Sequence, residues 1–497
     1  MVDSLPSKTS APGSRSRAPI RALLSPEAWL GLLAGLAIRL AFLPAAIGQS
    51  FRCDEPAYWR LGEVWAEHGV YIGPWPPLHP AFLGACQHLF GEGAEGAARV
   101  VLTLLSFWSG AWLTGLARLA HSRQASTVCA WLWAAYLPVI PSAHLLLSEG
   151  LFLALLFPAL YCCLALAQRP GASAQGLGQL LLAGALLGAA CLTRESGLFW
   201  LIALVSWACF AFRETRGFAL HRPALLFLAA LLTIAPWSLR ASHKQGSFQL
   251  LGRTAGQNAY FAWNRGYKNF DLTRLSVPSE GLPGARLRSR LLQAPDDVEH
   301  WTYAYLPNLG ERSRLHLHRG IAFLREHPGF ALRRSVVKAS DLAAPHSAMT
   351  RFLRMPPGDP KARGLEATGG YGSPIAGSFL RFPLALVAVL SSTMLAVLGA
   401  IGSFAGNLRR GMPTLILAGL ASVSPLILFV ASSRFRLPFE VLLLVPASAA
   451  IVDRRGILRR LRCSPLRSAS LFLCLGTLGG LWFLSLPTVL AALQSLE

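Results

Sequence analysis

The sequence predicts an all-α polytopic membrane protein, and three observations lead there. Hydrophobic residues make up 53% of the 497-residue chain and charged ones only 14%, where a soluble domain carries roughly a quarter charged residues. The apolar residues come in long blocks such as Leu415 to Ala431, almost without an ionised side chain. A block of about 20 apolar residues is what a helix needs to cross a bilayer. Arginines also recur beside alternate blocks, as orientation in a membrane requires. Together these exclude a cytosolic enzyme, a secreted disulfide scaffold and a disordered chain.

Residues 1–22 are polar, basic and rich in Ser, Pro and Arg, and are expected to be a disordered cytoplasmic tail. The first apolar block, 26–48, lacks a closing small-residue cleavage site and reads as a span rather than a signal peptide. Arg15, Arg17 and Arg21 before it argue for a cytoplasmic N-terminus. Further spans are expected at 97–119, 125–146, 150–167, 177–193, 197–212, 223–239, 379–404, 413–431, 436–452 and 469–492, about eleven in all. Threading them in order places Arg118, Arg123, Arg169, Arg213, Arg216, Arg222, Arg409, Arg410 and the run from Arg454 to Arg462 on the cytoplasmic side. The positive-inside rule is met at every such loop.

The opposite side receives two long polar segments, 49–96 and 240–378. The chain therefore divides into an N-terminal transmembrane module of about seven helices over 23–239, which includes the 49–96 loop, an outer-face domain over 240–378, and a C-terminal module of about four helices over 379–497. Helical patches are expected from Arg312 to Glu326 and Pro328 to Lys338, with turns at 356–358 and 369–372. No internal repeat is visible, which weakens an inverted-repeat transporter architecture.

Net charge is +22, yet only five of the 46 basic residues are lysines, and the excess sits beside apolar blocks; bilayer orientation explains it without a nucleic-acid partner. The nine cysteines show no C-x-x-C or Cys/His metal spacing.

The same topology gathers ionisable residues at the outer boundary: Asp54 and Glu55 after the first span, Glu149 between the third and fourth, Arg194 and Glu195 between the fifth and sixth, Arg240 and His243 after the seventh, Arg434 and Arg436 before the tenth. Charges near bilayer depth are costly and usually paired or functional. Bland readings exist for each. Asp54-Glu55-Pro56 makes a good helix start, Ser148-Glu149-Gly150 could cap the fourth span, and Arg194 or Arg436 could snorkel to headgroups. Their joint placement, with Tyr58 one turn from Asp54, favours a site that handles an anion and moves a proton.

Asp54-Glu55-x-x-Tyr58, followed by Gly73-Pro74-Trp75-Pro76-Pro77-Leu78-His79-Pro80, resembles the first outer loop of the GT-C glycosyltransferases, in the protein O-mannosyltransferase and aminoarabinose transferase group. Ser148-Glu149, Gly188-x-x-x-Leu192-Thr193-Arg194, Pro236-Trp237-x-x-Arg240 and Ser433-Arg434-Phe435-Arg436-x-Pro438 follow in the family's order. The resemblance implies a GT-C-type bundle in a bacterial inner membrane, with a polyprenyl-phosphate-linked sugar as donor. Transfer would occur on the outer face, to a lipid, protein or polysaccharide acceptor. It gives Asp54 the role of general base, with Glu55 positioning or replacing it. Trp75 stands where the aminoarabinose branch has a lysine, which counts against a lipid A acceptor.

The chemistry fits these residue types. An acceptor hydroxyl must lose a proton as it attacks the anomeric carbon, and a carboxylate can take it. The departing lipid phosphate gains charge that a forked, always ionised guanidinium can meet. Arg240, Arg436 and Arg434 are the phosphate candidates, followed by Arg194 and His243, with Glu149 ordering the site. Displacement without a protein nucleophile would invert the anomeric centre. Asp54 and Glu55 could hold a divalent cation through oxygens; neither an Asp-x-Asp shape nor histidine clustering favours one, and no metal is assigned. The alternative is a transporter or flippase of lipid-linked glycans, which should carry charges deep in several spans, whereas Arg39 is the one clear case.

Overall fold

The computed structural model describes residues 24–44, 46–47, 51, 54–69, 73–168, 174–212, 221–263, 282–293, 308–345, 381–409, 411–428 and 433–494. Among the described residues the regular structure is helical throughout, and the chain is an all-α polytopic membrane protein. The expected N-terminal tail and the turns at 356–358 and 369–372 lie outside the described residues.

The chain enters through α1 (Pro26–Phe42), where the Ser25 hydroxyl accepts from the Ala28 amide at 3.2 Å and Pro26 occupies a first-turn position that needs no donor. Two helices fill the first loop: α2 (Glu55–His68), ended by Gly69 at φ +61°, and α3 (Leu78–Phe90), packed against it. Next come α4 (Ala94–Ala120), α5 (Arg123–Ala135), the short α6 (Ile140–His144), α7 (Ser148–Ala167), α8 (Ala174–Thr193), α9 (Gly197–Ala211) and α10 (His221–Gln245). The middle of the chain contributes α11 (Ala255–Trp263), α12 (Ala285–Leu292), α13 (Leu309–Glu326) and α14 (Pro328–Ala343). The expected patches at 312–326 and 328–338 fall inside the last two. The C-terminal part holds α15 (Arg381–Ala405), α16 (Met412–Val423), α17 (Leu437–Leu442), α18 (Leu444–Val452), α19 (Arg454–Cys463) and α20 (Pro465–Gln494).

Each of the eleven expected spans has a helical counterpart, but several are short or broken. Among the described residues six helical segments are long and apolar enough to cross a bilayer, or seven if α5 and the 137–144 segment, bent by 63°, form one span. Proline explains the breaks. Pro138 and Pro141 interrupt the 125–146 block, and Pro425 sits where α16 gives way to a 3-10 turn. Pro446 has no amide to donate to the Leu442 carbonyl, and the 436–452 block divides there between α17 and α18.

Large apolar side chains stay exposed on the perimeter, including Leu228, Leu232 and Leu239 on α10, Phe210 on α9 and Phe472 on α20. Such a belt suits hydrocarbon, where helices satisfy their own backbone. Inside, α7 and α10 pack on α8, α7 on α4, α1 on α5, and α16 on α9. Small residues permit this closeness: a Cβ at Gly184 would lie 2.4 Å from the Leu226 carbonyl oxygen, and one at Gly188 2.6 Å from that of Ala230.

Arg39, fully buried, donates to Ser106 Oγ at 3.1 Å and to the Gly35 and Trp133 carbonyls at 2.9 and 3.2 Å, with its guanidinium 3.6 Å from the Trp133 ring centroid. It is not alone among buried arginines in apolar blocks: Arg99, two residues inside the expected 97–119 span, is a second.

The 255–343 helices are tied to the bundle by buried polar contacts. Arg288 pairs with Asp341 at 2.6 Å and donates to the Leu484 carbonyl at 3.2 Å, and the Trp263 indole donates to the Leu428 carbonyl at 2.7 Å.

Candidate active site

The first loop reaches the bundle through Glu55. Its carboxylate, wholly buried, pairs with Arg99 at 3.0 Å and accepts from the Leu146 amide at 2.7 Å. Arg99 also donates to Glu95 at 3.0 Å and to the His144 carbonyl. These contacts fasten the start of α2 to the head of α4 and to the break between α6 and α7. A buried pair survives this well only when the remaining lone pairs and protons are also met.

Asp54 stands at the cap position of α2, yet its side chain makes no capping hydrogen bond. The simple helix-start reading therefore does not account for it. Its carboxylate instead lies within electrostatic range of Tyr58. Glu55 is turned into the Arg99 pair, so the two neighbouring acids have different surroundings. Among the described residues no group of three or more His, Cys, Asp or Glu side chains gathers in a form that could hold a metal ion.

Tyr58 is buried, with its hydroxyl 3.4 Å from Ser148 Oγ and its ring 4.6 Å from Trp75 and 4.9 Å from His79, centroid to centroid. Burial, the largest influence, pushes the phenol up to about 12, against the opposing pull of Arg194 and the Ser148 hydrogen bond. It is a neutral hydroxyl at any ordinary pH. His79, from the same Trp-Pro-Pro-Leu-His-Pro stretch, shares its Nε2 with the Leu146 carbonyl at 3.0 Å.

Ser148 and Glu149 open α7, but neither acts as its cap, which is Leu147. Ser148 Oγ accepts from Arg194 at 3.0 Å, and Glu149 pairs with the same guanidinium at 2.7 Å. Glu149 thus pairs with one of the arginines expected at this end. Arg194 keeps 11% of its side chain exposed and also lies 5.5 Å from the Phe435 ring centroid. It is held inside the protein and does not snorkel. Thus Asp54, Tyr58, Ser148, Glu149 and Arg194 come together from three connections far apart in sequence.

Beside Arg194, the Glu195 carboxylate accepts from the Thr254 amide at 3.2 Å and from the Thr254 hydroxyl. Burial raises its pKa above the usual carboxylate range, and the two Thr254 bonds oppose that rise. The chain after α10 folds back over this point: the Arg253 amide donates to the Pro74 carbonyl at 2.5 Å and Gln249 Nε2 to that of Gly73 at 3.4 Å. The segment after α10 is thereby laid on the Trp75 motif.

The other expected residues have different surroundings. The Arg240 and His243 side chains are exposed at the end of α10. The Arg434 side chain lies outside the described residues. Arg436 is buried and bound to Glu440 at 3.2 and 3.3 Å, to the Leu342 carbonyl at 2.7 Å and to that of Ala344. Its guanidinium clamps the end of α14 to α17, and its neighbour Phe435 lies against Arg194.

Two contributors escaped sequence reading, and His79 entered it only as a member of the Trp75 motif. Arg99 carried a signal in its i, i+4 spacing from Glu95, and Glu440 in its i, i+4 spacing from Arg436.

No model of a known family matches the chain, and no curated protein does. Solved structures similar to it include ArnT from Cupriavidus metallidurans bound to undecaprenyl phosphate, at 15% identity and TM-score 0.39, covering 85% of this chain and 78% of that one. Another is the archaeal oligosaccharyltransferase AglB from Archaeoglobus fulgidus in complex with an inhibitory peptide and a dolichol-phosphate, at 14% identity and TM-score 0.49 over 94% of this chain. The apo form of the Archaeoglobus fulgidus oligosaccharyltransferase gives 13% and 0.48. The chain spans about half the length of the archaeal enzyme, 55% in both comparisons. At these scores the likeness assigns no role to any residue.

Proposed function

We propose that this protein is a GT-C-type membrane glycosyltransferase that moves a sugar from a polyprenyl-phosphate donor to an acceptor hydroxyl or amine on the outer face of a bacterial inner membrane, with the N-terminus cytoplasmic. One observation carries the reading: Asp54, at the start of α2, acts electrostatically on Tyr58 in a buried Tyr58–Ser148–Arg194–Glu149 cluster assembled from separate connections. It brings a carboxylate, a neutral hydroxyl pair and a guanidinium to one place, with the motif order of the resemblance behind it.

In this reading Asp54 accepts the proton of the acceptor as its oxygen or nitrogen forms the bond to the anomeric carbon. The bond from that carbon to the phosphate oxygen breaks, and the electron pair leaves with the lipid phosphate. Attack opposite the leaving group inverts the anomeric centre. Arg194 meets the growing phosphate charge, its fork presented by Glu149 and Ser148. Arg240, exposed nearby in sequence to the segment laid on Trp75, offers positive charge at the approach, with His243 following it on α10. Arg434 keeps its assignment from sequence as a phosphate contact. Arg436 acts by bracing α14 against α17, and Glu55 by fixing the start of α2, so that Asp54 is held by a rigid neighbour. Tyr58 and Trp75 supply the wall against which the sugar or the first prenyl unit rests.

The test is transfer of radiolabelled sugar from a synthetic polyprenyl-phosphate donor in membranes containing the full chain. Release of polyprenyl phosphate that depends on the protein and stops in Asp54→Asn supports the proposal. Undiminished release in that variant removes Asp54 as the base, and no protein-dependent release with any lipid-linked sugar rejects the reaction class.

A further inference from the structure

The far end of α4 holds a second site. Helix α4 has 27 residues and runs about 40 Å at 1.5 Å per residue. Arg99 at its head joins the acid cluster, while Arg118 lies in its last turn. There a cavity of about 340 Å³ is lined by Gly115, Arg118, Ser122, Arg123, Tyr161 and Arg409. That volume is within the range of small-ligand pockets, about 300–1,000 Å³. Three of those lining side chains are guanidiniums. The start of the 13-residue α5 borders it, with Ser122 as cap, so backbone amides and the helix dipole add to the positive field.

The walls are built rather than incidental. The Arg409 amide donates to the Ala120 carbonyl at 2.7 Å and Gln168 to that of Leu119 at 3.1 Å, which closes off the carbonyl end of α4. Gly115 lets the Tyr161 ring sit where a Cβ would lie 3.1 Å from it. Nearby carboxylates are few and engaged: Glu27 lies 3.9 Å from Arg123, both well exposed, and Asp453 pairs with Arg460. Burial holds His121, at the lip, below its ordinary pKa, with Arg409 and Arg460 acting in the same direction against Asp453.

The pocket also continues into an apolar track. Tyr161 packs edge-on to Trp112 at 5.0 Å, Trp112 edge-on to Trp108 at 5.3 Å, and Trp108 and Leu104 are exposed one and two turns further along α4. From Leu119 to Leu104 that track runs about 22 Å along the helix. A free phosphate would use only the arginines. A lipid would use both parts, since basic pockets between membrane helices suit anionic headgroups. We infer that this pocket binds the phosphate of an anionic phospholipid, with an acyl chain along the Trp112–Trp108–Leu104 face of α4.

The experiment is native mass spectrometry of the full chain in detergent, titrated with phosphatidylglycerol, phosphatidylcholine and inorganic phosphate. Phosphatidylglycerol should be retained in preference to phosphatidylcholine, and Arg118→Gln with Arg409→Gln should lower that retention about thirtyfold. Arg459→Gln with Arg462→Gln, exposed arginines of α19 outside the pocket, should leave it within about twofold. Should the double variant fail to fold, the exposed single changes Arg123→Gln and Arg409→Gln should each cost about fivefold. Equal retention by pocket variants and wild type, equal retention of phosphatidylcholine, or displacement of the lipid by millimolar inorganic phosphate would each overturn the inference.

Discussion

Two buried ion pairs stand at the same end of the bundle and differ in how they are closed. Glu55–Arg99 has no exposed side-chain surface, and its spare groups are taken up by Glu95, the His144 carbonyl and the Leu146 amide. Glu149–Arg194 keeps 5% and 11% exposed, and its neighbours are hydroxyls and an aromatic ring rather than backbone. The first pair is fully spent on holding two helices and a loop together. In the proposed reaction the second presents a charged fork next to Tyr58 and Asp54 for the lipid phosphate to share. A charge pair marks a site when its surroundings leave something to offer, and marks scaffold when they do not.

Four substitutions sharpen this contrast, in falling order of effect. Asp54→Asn should lower transfer by about 10²–10⁴-fold, the usual worth of a general base, with the melting temperature of the purified protein unchanged. Arg99→Leu should act through stability instead: it leaves Glu55 buried without its partner, at a cost of about 3–5 kcal/mol. Denaturant or thermal melts would then shift strongly, and residual folded protein should keep its turnover per molecule. Arg194→Lys preserves the charge but loses the fork, and should cost about 10–100-fold in kcat/KM for the lipid donor, with a small change in melting. Equal loss of stability in Arg99→Leu and Arg194→Lys would erase the distinction between the two pairs. Tyr58→Phe should cost about fivefold, one neutral hydrogen bond.

Acid dependence supplies a smaller check. Glu195 is held above the ordinary carboxylate range by burial. The folded protein therefore keeps that proton to higher pH than the unfolded chain does. Its contribution to stability is full below the unfolded pKa and is lost as pH rises through the folded one. Melting temperatures of wild type taken upward from pH 4 should fall relative to those of Glu195→Gln, in which the slope is absent. Parallel profiles would show that Thr254 rather than burial governs the group.

The membrane architecture was legible in sequence because long apolar blocks and flanking arginines are one-dimensional signals. Each of the eleven blocks became a helix or helix pair, and the 309–326 and 328–343 helices fell where their periodicity put them. Helix breaks were less legible, since Pro138 and Pro446 act on carbonyls one turn earlier and an average over 19 residues hides them. At the site, the meeting of Tyr58, Glu149 and Arg194 followed from placing their turns at one end. The partition of roles did not. Whether Glu55 or Asp54 faces the protein depends on Arg99, a residue 44 positions away. Whether Arg436 faces a ligand depends on Glu440 and on carbonyls of α14 that approach from another part of the chain.

The central claim is that the lipid phosphate donor meets the protein at the Asp54–Tyr58–Arg194 cluster. A diazirine-bearing polyprenyl phosphate, photolysed with the full chain and mapped by peptide sequencing, tests it most directly. Label is expected within 54–82 or 194–199, reduced in Arg194→Ala. Label confined to 115–123 and 409, at the opposite end of α4, would contradict it.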